Sequence, residues 1–283
     1  KNCIKKIKIN QIVVGGGVFM NVKANQKILS LKKLKRYFVF PSCGDESLSF
    51  GAVWHRYFLK KTNNQKLLPN LYLGRSYSNS EVKNIIFKKF KNKKKYKITK
   101  SNDIEGATAL LLVKNEIVAR FSGRAEWGAR SLGNRSILAN PNSWENIEKI
   151  NNLIKKRDFW MPFAPSISYE KRNKYFNILK NTDCPFMTFS FDSKVAEQNK
   201  IPAALHPRDK TGRIQIVKKE DNFKYWDLIK KFGKITGIEC VLNTSFNLHG
   251  YPVVYSPTDA IDVFCKSGLK YLAIEDFLVE KCK

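Results

Sequence analysis

Residues 123–136 read GRAEWGARSLGNRS, which sets Arg124, Arg130 and Arg135 among Gly123, Gly128 and Gly133. Glycine lets main chain approach a ligand closely, and a guanidinium presents a planar fork of donors to phosphate or carboxylate oxygens. A polyanion could meet backbone and guanidinium together on such a run. Residues 116–121 just before it alternate like a strand, so the run is expected to leave the end of a sheet. Taken singly, each of these arginines could equally serve a structural ion pair or the surface.

Three other polar clusters lie further along the chain. Residues 155–168 (KKRDFWMPFAPSIS) bring Lys155 and Arg157 ahead of Pro162-Phe163-Ala164-Pro165, and the prolines exclude a helix interior. His206, Thr211, Arg213 and Gln215 gather where a strand opens, and Asn243-Thr244-Ser245-Phe246-Asn247 forms a hydroxyl–amide turn after a buried strand at 239–242. Together the four clusters could line one nucleotide and phosphate site. No paired carboxylates, Ser-His-Asp set or Cys-His set stands out. The pattern therefore points to electrostatic stabilisation of phosphoryl and acyl-phosphate groups, not to acid–base hydrolysis.

Toward the N-terminus, residues 11–17 (QIVVGGG) read as a short strand ending in a glycine turn, followed by a helix over 18–34. Such a turn can carry backbone N–H groups and a helix N-terminus to a phosphate, or it can be only a tight packing turn. It is not a Walker A loop, since no Gly-Lys-Ser/Thr follows. A strand at 37–41, an apolar segment at 45–59 and a helix at 80–90 come next. Asp45 in the turn PSCGDE suits a metal or a helix N-cap, while His55, His206 and His249 are scattered. Residues 91–97 read as a solvated basic connector. Beyond it the reading gives a helix or strand at 106–113, helices at 142–155, 225–234 and 257–267, and strands at 186–191, 213–217, 271–274 and 277–279. The mixture indicates an α/β or α+β fold, of which α/β is the expectation taken forward.

Composition narrows the classes. The 283 residues suffice for two domains with real cores, at 43% hydrophobic content. Net charge is +28, and residues 1–100 carry 24 Lys/Arg against 3 Asp/Glu. Only 11 of the 52 basic residues are Arg, the residue that nucleic-acid readers favour, so the lysine excess reads as compositional bias and not as a nucleic-acid surface. The six cysteines are dispersed without a C-x-x-C pair, which argues against a disulfide scaffold and for small core residues. No apolar run reaches the ~20 residues of a membrane span. No membrane partner and a cytoplasmic location are expected. Lys1 is followed almost at once by a buried strand, so the chain is expected to begin inside a larger fold. Oligomeric state is not set by the sequence.

Across these motifs the chain resembles the carbamoyltransferases of the nodulation and antibiotic-tailoring type. The blocks VVGGGVFMNVKANQKI, PSCGDESLSFGAVW, YLGRSYS, GRAEWGARSLGNRSILANP, IKKRDFWMPFAPS, HPRDKTGRIQ and VLNTSFNLHGYPVVYSPTDAI run in family order. The resemblance implies residues 1–100 as part of an actin-like lobe, related to the tRNA threonylcarbamoyl-transfer protein. Residues 101–283 would be a YrdC-like α/β domain with a twisted mixed sheet. It further implies ATP as cofactor, carbamoyl phosphate as donor, and a carbamoyl-adenylate passed to a hydroxyl of a sugar or other small acceptor. A divalent metal is implied too, iron in the full enzyme, with magnesium able to accompany ATP.

Carried over by position, Arg130, Arg135, Lys155 and Arg157 become the catalytic cations. Gly16, Gly17, Asn21, Arg124, Asn134, Ser136, His206, Arg213, Asn243, Ser245 and Asn247 become nucleotide or carbamoyl-phosphate contacts, and Asp45 the metal ligand, its histidine partners lying upstream of Lys1. This chain departs from the family at Ala129 for proline, at Met161 for arginine, and in the longer segment 206–213. Two other readings stand beside this one: a carbamoyl-type modification of tRNA, and a nucleotide-binding piece without catalysis.

Overall fold

A computed structural model describes residues 2–59, 70–90, 95–156 and 161–282. In chain order the main elements are α1 (Asn2–Ile7), β1 (Gln11–Val14), α2 (Val22–Leu29), β2 (Arg36–Val39), α3 (Ser47–Leu59), α4 (Asn79–Lys89), β3 (Tyr96–Lys100), α5 (Ile104–Val113), β4 (Val118–Phe121) and β5 (Arg135–Ala139). There follow α6 (Glu145–Ile150), β6 (Ala164–Ser168), α7 (Arg172–Tyr175), β7 (Ser190–Asp192), β8 (Thr211–Arg213), β9 (Gln215–Val217), α8 (Phe223–Thr236), β10 (Cys240–Ser245), α9 (Pro257–Lys266), β11 (Tyr271–Ile274) and β12 (Phe277–Lys281).

Eight strands form one sheet in the order β3-β12-β11-β4-β5-β10-β6-β9. Its joints are antiparallel except β11 with β4 and β6 with β9, so the sheet is mixed, as the α/β reading expects. Strand side chains alternate between faces. Val118, Leu138, Val241 and Ala273 pack on one face with α5 and α8, while Ala119, Ile137, Leu242 and Ile274 join the larger core on the other.

Local chemistry accounts for the helices. In α8, Tyr225, Leu228, Ile229 and Phe232 recur on one stripe and are buried, each contributing on the order of 2 kcal/mol. Asn222 caps its start by accepting from the Tyr225 N–H, and Gly237, with φ 74°, ends it. Ser256 and Asp259 form a capping box at α9, with Pro257 in the first turn.

Several sequence expectations change. β3 occupies part of the supposed connector and pairs with β12, so a boundary after residue 100 falls at the end of a strand of the large sheet. β5 lies inside the arginine–glycine block and β6 inside the proline-rich segment, both wholly buried. Residues 186–191 contribute only the short β7. Asn243, Thr244 and Ser245 belong to β10, not to a turn. The helix expected over 18–34 is a 3-10 turn at Gly17–Met20 followed by α2. Cys43, Cys184 and Cys240 are buried and free, as core residues should be, while Cys265 and Cys282 are exposed.

The first hundred residues are tied to the rest by polar contacts. Buried Asn25 donates to the Phe19 and Thr188 carbonyls at 2.7 and 2.9 Å and accepts from the Tyr37 hydroxyl at 3.1 Å. Residues 71–75 run beside the arginine–glycine loop: the Gly74 N–H donates to the Ala125 carbonyl at 2.9 Å, and the Trp127 N–H to the Leu71 carbonyl at 2.7 Å.

That loop, residues 122–134, joins antiparallel neighbours β4 and β5. One carboxylate closes it: Glu126 Oε1 accepts from the N–H groups of Leu132, Asn134 and Arg135 at 2.8, 2.7 and 3.1 Å. Gly133 sits at φ 114°, and a Cβ there would come within 2.2–2.6 Å of three carbons of the Tyr225 ring. Gly133→Ala is expected to cost about 3 kcal/mol, from left-handed strain plus overpacking, read as a lowered urea midpoint. Glu126→Ala should cost about 2–3 kcal/mol by orphaning three N–H groups, and Glu126→Gln should restore most of it. Wild-type midpoints for both alanine variants would contradict this account of the loop.

Candidate functional site

A cleft of about 340 Å³ opens where the four polar clusters converge. Ala129, Arg130 and Ser131 of the loop form one wall, and 161–164 the next. Thr211 and Arg213 of β8 and Asn243, Thr244 and Ser245 of β10 complete the polar lining. Val22, at the first position of α2, closes it from the N-terminal region. Met161, Pro162, Phe163 and Met187 supply an apolar side. A volume of this order, mostly apolar with a few convergent polar groups, suits a small-molecule site.

Register explains the convergence. Asn243 of β10 stands opposite Leu138 of β5 and Ala164 of β6, so one residue faces both the arginine–glycine loop and the proline turn. The Arg130 guanidinium is half-buried, and that burial holds it below its ordinary pKa. A neighbouring Ser42 hydroxyl accepts from the Ala129 N–H at 3.1 Å, fixing the wall against the first region. No carboxylate or imidazole is among the described residues lining the cleft.

Of the residues assigned a catalytic or binding role from the resemblance, Arg130, Arg213, Asn243 and Ser245 line this cleft, with Thr211 and Thr244 of the same clusters beside them. Lys155 and Asn247 lie one layer behind. Lys155 is 1% exposed, and its ammonium donates to Ser245 Oγ at 3.0 Å and to Asn247 Oδ1 at 2.6 Å. Ser245 Oγ in turn donates to Asn247 Oδ1 at 2.6 Å. A π-turn over Asn151–Lys155, extending α6, delivers that lysine inward.

Other candidates hold the loop together instead. Arg124 donates to the Gly74 and Leu73 carbonyls at 2.8 and 2.6 Å. Arg135 stacks on Phe121 at 3.6 Å and donates to the carbonyls of Ser122, Gly123, Asn134 and Arg75 at 3.0–3.4 Å. Burial lowers its pKa to about 10, which leaves it charged at neutral pH. Asn134 donates to the Arg124 carbonyl at 2.8 Å, and Ser136 Oγ accepts from the Gly133 N–H at 3.0 Å. None of these four lines the cleft.

His206 sits near the rim with Nδ1 3.3 Å from Asp209. Asp209 also meets Lys23 of α2 at 2.7 Å and accepts from Thr211 Oγ1 at 2.7 Å. Desolvation acts to raise the Asp209 pKa, but Lys23 and Thr211 outweigh it and hold the carboxyl at about 2. Gly16, Gly17 and Asn21 are exposed beside the start of α2, where Asn21 caps the helix by accepting from the Lys23 and Ala24 N–H groups at 3.1 Å. Asp45 is exposed in its turn. Arg157 lies outside the described residues.

Sequence reasoning does not single out Glu126, Ser131 or Ser166 as site residues. Glu126 had one signal: it is the only acidic residue inside a block of arginines and glycines. Among the described residues no group of three or more His, Cys, Asp or Glu side chains gathers as a metal centre, so the residues present do not compose the metal site that the resemblance implies. No helix among them is long and apolar enough to cross a membrane.

The uncharacterized protein MJ1058 of Methanocaldococcus jannaschii is 36% identical over 281 residues, 98% of this chain and 45% of that protein. The nodulation protein NolO of Bradyrhizobium diazoefficiens is 34% identical over 279 residues, 98% of this chain and 50% of that protein. The chain thus spans about half the length of these relatives. Among solved structures, full-length HypF in the phosphate- and nucleotide-bound form overlays 89% of this chain and 36% of its own, with TM-score 0.43 and 13% identity. The family described as carbamoyltransferase C-terminus matches residues 109–281, which include all of the cleft except Val22, and the chain belongs to that family.

Proposed function

We propose that this chain carries the donor-activating part of an ATP-dependent O-carbamoyltransferase. The observation that carries the reading is the meeting of Arg130, Arg213 and Ser245 in one cleft with no carboxylate among the described residues that line it. Two guanidinium groups in a partly desolvated site stabilise the charge that builds on phosphoryl oxygens. Carbamoyl phosphate and water would give carbamate and phosphate. A carbamate oxygen would then attack the α-phosphorus of ATP, and the bond to the β-phosphate would break to release pyrophosphate. The resulting carbamoyl-adenylate has a good leaving group for transfer to a hydroxyl acceptor, a sugar or another small molecule, and a closed site protects it from water.

Within that scheme Arg130 and Arg213 hold phosphoryl oxygens. Lys155 acts through Ser245, which it holds from behind the cleft together with Asn247. Arg135 supports the arginine–glycine loop and does not meet the substrate. Magnesium would accompany ATP as its counter-ion. Iron, which the family resemblance brings, has no ligand set among the described residues, and no step here runs through it.

Carbamoyl-phosphate-dependent exchange of pyrophosphate into ATP is the test. Arg130→Ala and Arg213→Ala should each slow it at least tenfold, about 1.4 kcal/mol of barrier, with the fold intact by circular dichroism. Unchanged exchange in both variants would remove the cleft from the reaction. Exchange absent in the wild type, together with tight, steeply salt-dependent binding of tRNA, would favour tRNA modification instead.

A further inference from the structure

Arg130 stands in the half of the arginine–glycine loop that Glu126 does not hold. The N–H groups gathered by that carboxylate begin at Leu132, so the segment before it needs anchors of its own. Two such anchors are found among the described residues, and both lie outside the loop. The Trp127 N–H donates to the Leu71 carbonyl at 2.7 Å, and the Ala129 N–H donates to Ser42 Oγ at 3.1 Å. Leu71 and Ser42 belong to the first hundred residues, whereas every polar residue lining the cleft belongs to the loop, β8 or β10.

The turn that presents Ser42 is shaped for close approach. Ser42 has φ 53°, a left-handed conformation uncommon for a residue with a Cβ. Gly128 faces it at φ 104°, and a Cβ there would come within 2.6 Å of Ser42 Cβ and 2.8 Å of its Oγ. The Trp127 ring packs against Phe40 and Phe50, which flank the turn in sequence, with centroids 6.3 and 5.2 Å apart. Ser42 Oγ gives its one proton to Glu46 Oε1, which leaves its lone pairs for the Ala129 N–H. Arg130 borders both the cleft and a smaller cavity of about 20 Å³ that Ser42 and Cys43 also line. Ala129 is exposed, so water could satisfy its N–H as well as the serine does. The contact therefore adds little to stability. It fixes the peptide that leads into Arg130.

We propose, resting on the reading of Arg130 as a phosphoryl contact, that Ser42 is a positioning residue for Arg130. The turn at 41–46 then sets the phosphate affinity of the cleft without touching the ligand. Gly128 and Gly133 flank the segment that carries the guanidinium, and glycine backbone has much freedom to lose. Without the serine anchor that backbone would have to be ordered when phosphate binds, and binding would be weaker by the cost of ordering it. With the anchor the segment is held before the ligand arrives. Glu46 belongs to the same device, because it orients the Ser42 hydroxyl.

Equilibrium binding of pyrophosphate to the whole chain tests this through a double-mutant cycle between Ser42 and Arg130. Ser42→Gly, which adopts φ 53° without strain, should weaken binding about fivefold with a urea midpoint no lower than wild type. In an Arg130→Ala background the same substitution should change binding by less than about twofold, since the group it positions is gone. Glu46→Ala should cause part of the loss, and Glu46→Gln, which still accepts from the Ser42 hydroxyl, should recover most of it. If Ser42→Gly does lower the midpoint, the two Glu46 variants carry the same cycle. The full loss repeated in the Arg130→Ala background would make Ser42 independent of Arg130 and overturn the proposal. Wild-type affinity in Ser42→Gly, or in Arg130→Ala itself, would overturn it as well. Coupled binding without carbamoyl-phosphate-dependent exchange would overturn the proposed reaction and leave the positioning role standing. No binding of pyrophosphate by wild type would overturn both.

Discussion

One carboxylate holds the loop that forms the cleft wall. Glu126 accepts from the N–H groups of Leu132, Asn134 and Arg135, and in doing so folds residues 126–135 back on themselves. Everything nearby depends on that closure. It directs the Ser131 and Leu132 carbonyls at Asn243 and Gln215, and it places Arg135 at the head of β5. Hydrogen bonds to an ionised group are among the stronger ones in a protein, so a single side chain can set the shape of a glycine-rich segment with little intrinsic preference of its own.

The loop alone does not make a site. Its partners come from β6, β8 and β10, far apart in sequence, and the sheet register brings them together. The N-terminal region contributes little to the lining but much to its position. Ser42 holds the Ala129 N–H, Lys23 holds Asp209, and Asn25 bridges to Thr188. These contacts join two stretches of very different charge into one wall, and exposed pairs such as Lys23–Asp209 add orientation more than stability.

Much of this was legible in the sequence, for physical reasons that differ by element. β11 was readable as a short apolar run, and α9 because a serine cap and an early proline pointed the same way. The four polar clusters were readable as groups, since residues able to bind phosphate were concentrated there. The roles within a group were not. Arg124, Asn134, Arg135 and Ser136 look like ligand contacts in sequence, yet the fold directs the donors of the first three to main-chain carbonyls, and Ser136 Oγ accepts from the loop's Gly133 N–H. A buried polar side chain is satisfied either by a ligand or by backbone, and sequence does not distinguish the two. β5 and the second half of β10 were obscured for the same reason, burying Arg, Ser and Asn where apolar residues are the usual signal.

The central claim is that the cleft seats the phosphates of the activating reaction. Its most direct test is a crystal structure of the chain with a non-hydrolysable ATP analogue and carbamoyl phosphate. The account predicts phosphate oxygens within hydrogen-bond distance of Arg130 and Arg213, above the floor made by Asn243 and Ser245. Phosphates bound instead at the exposed glycine turn of residues 15–17, with the cleft free of ligand, would contradict it.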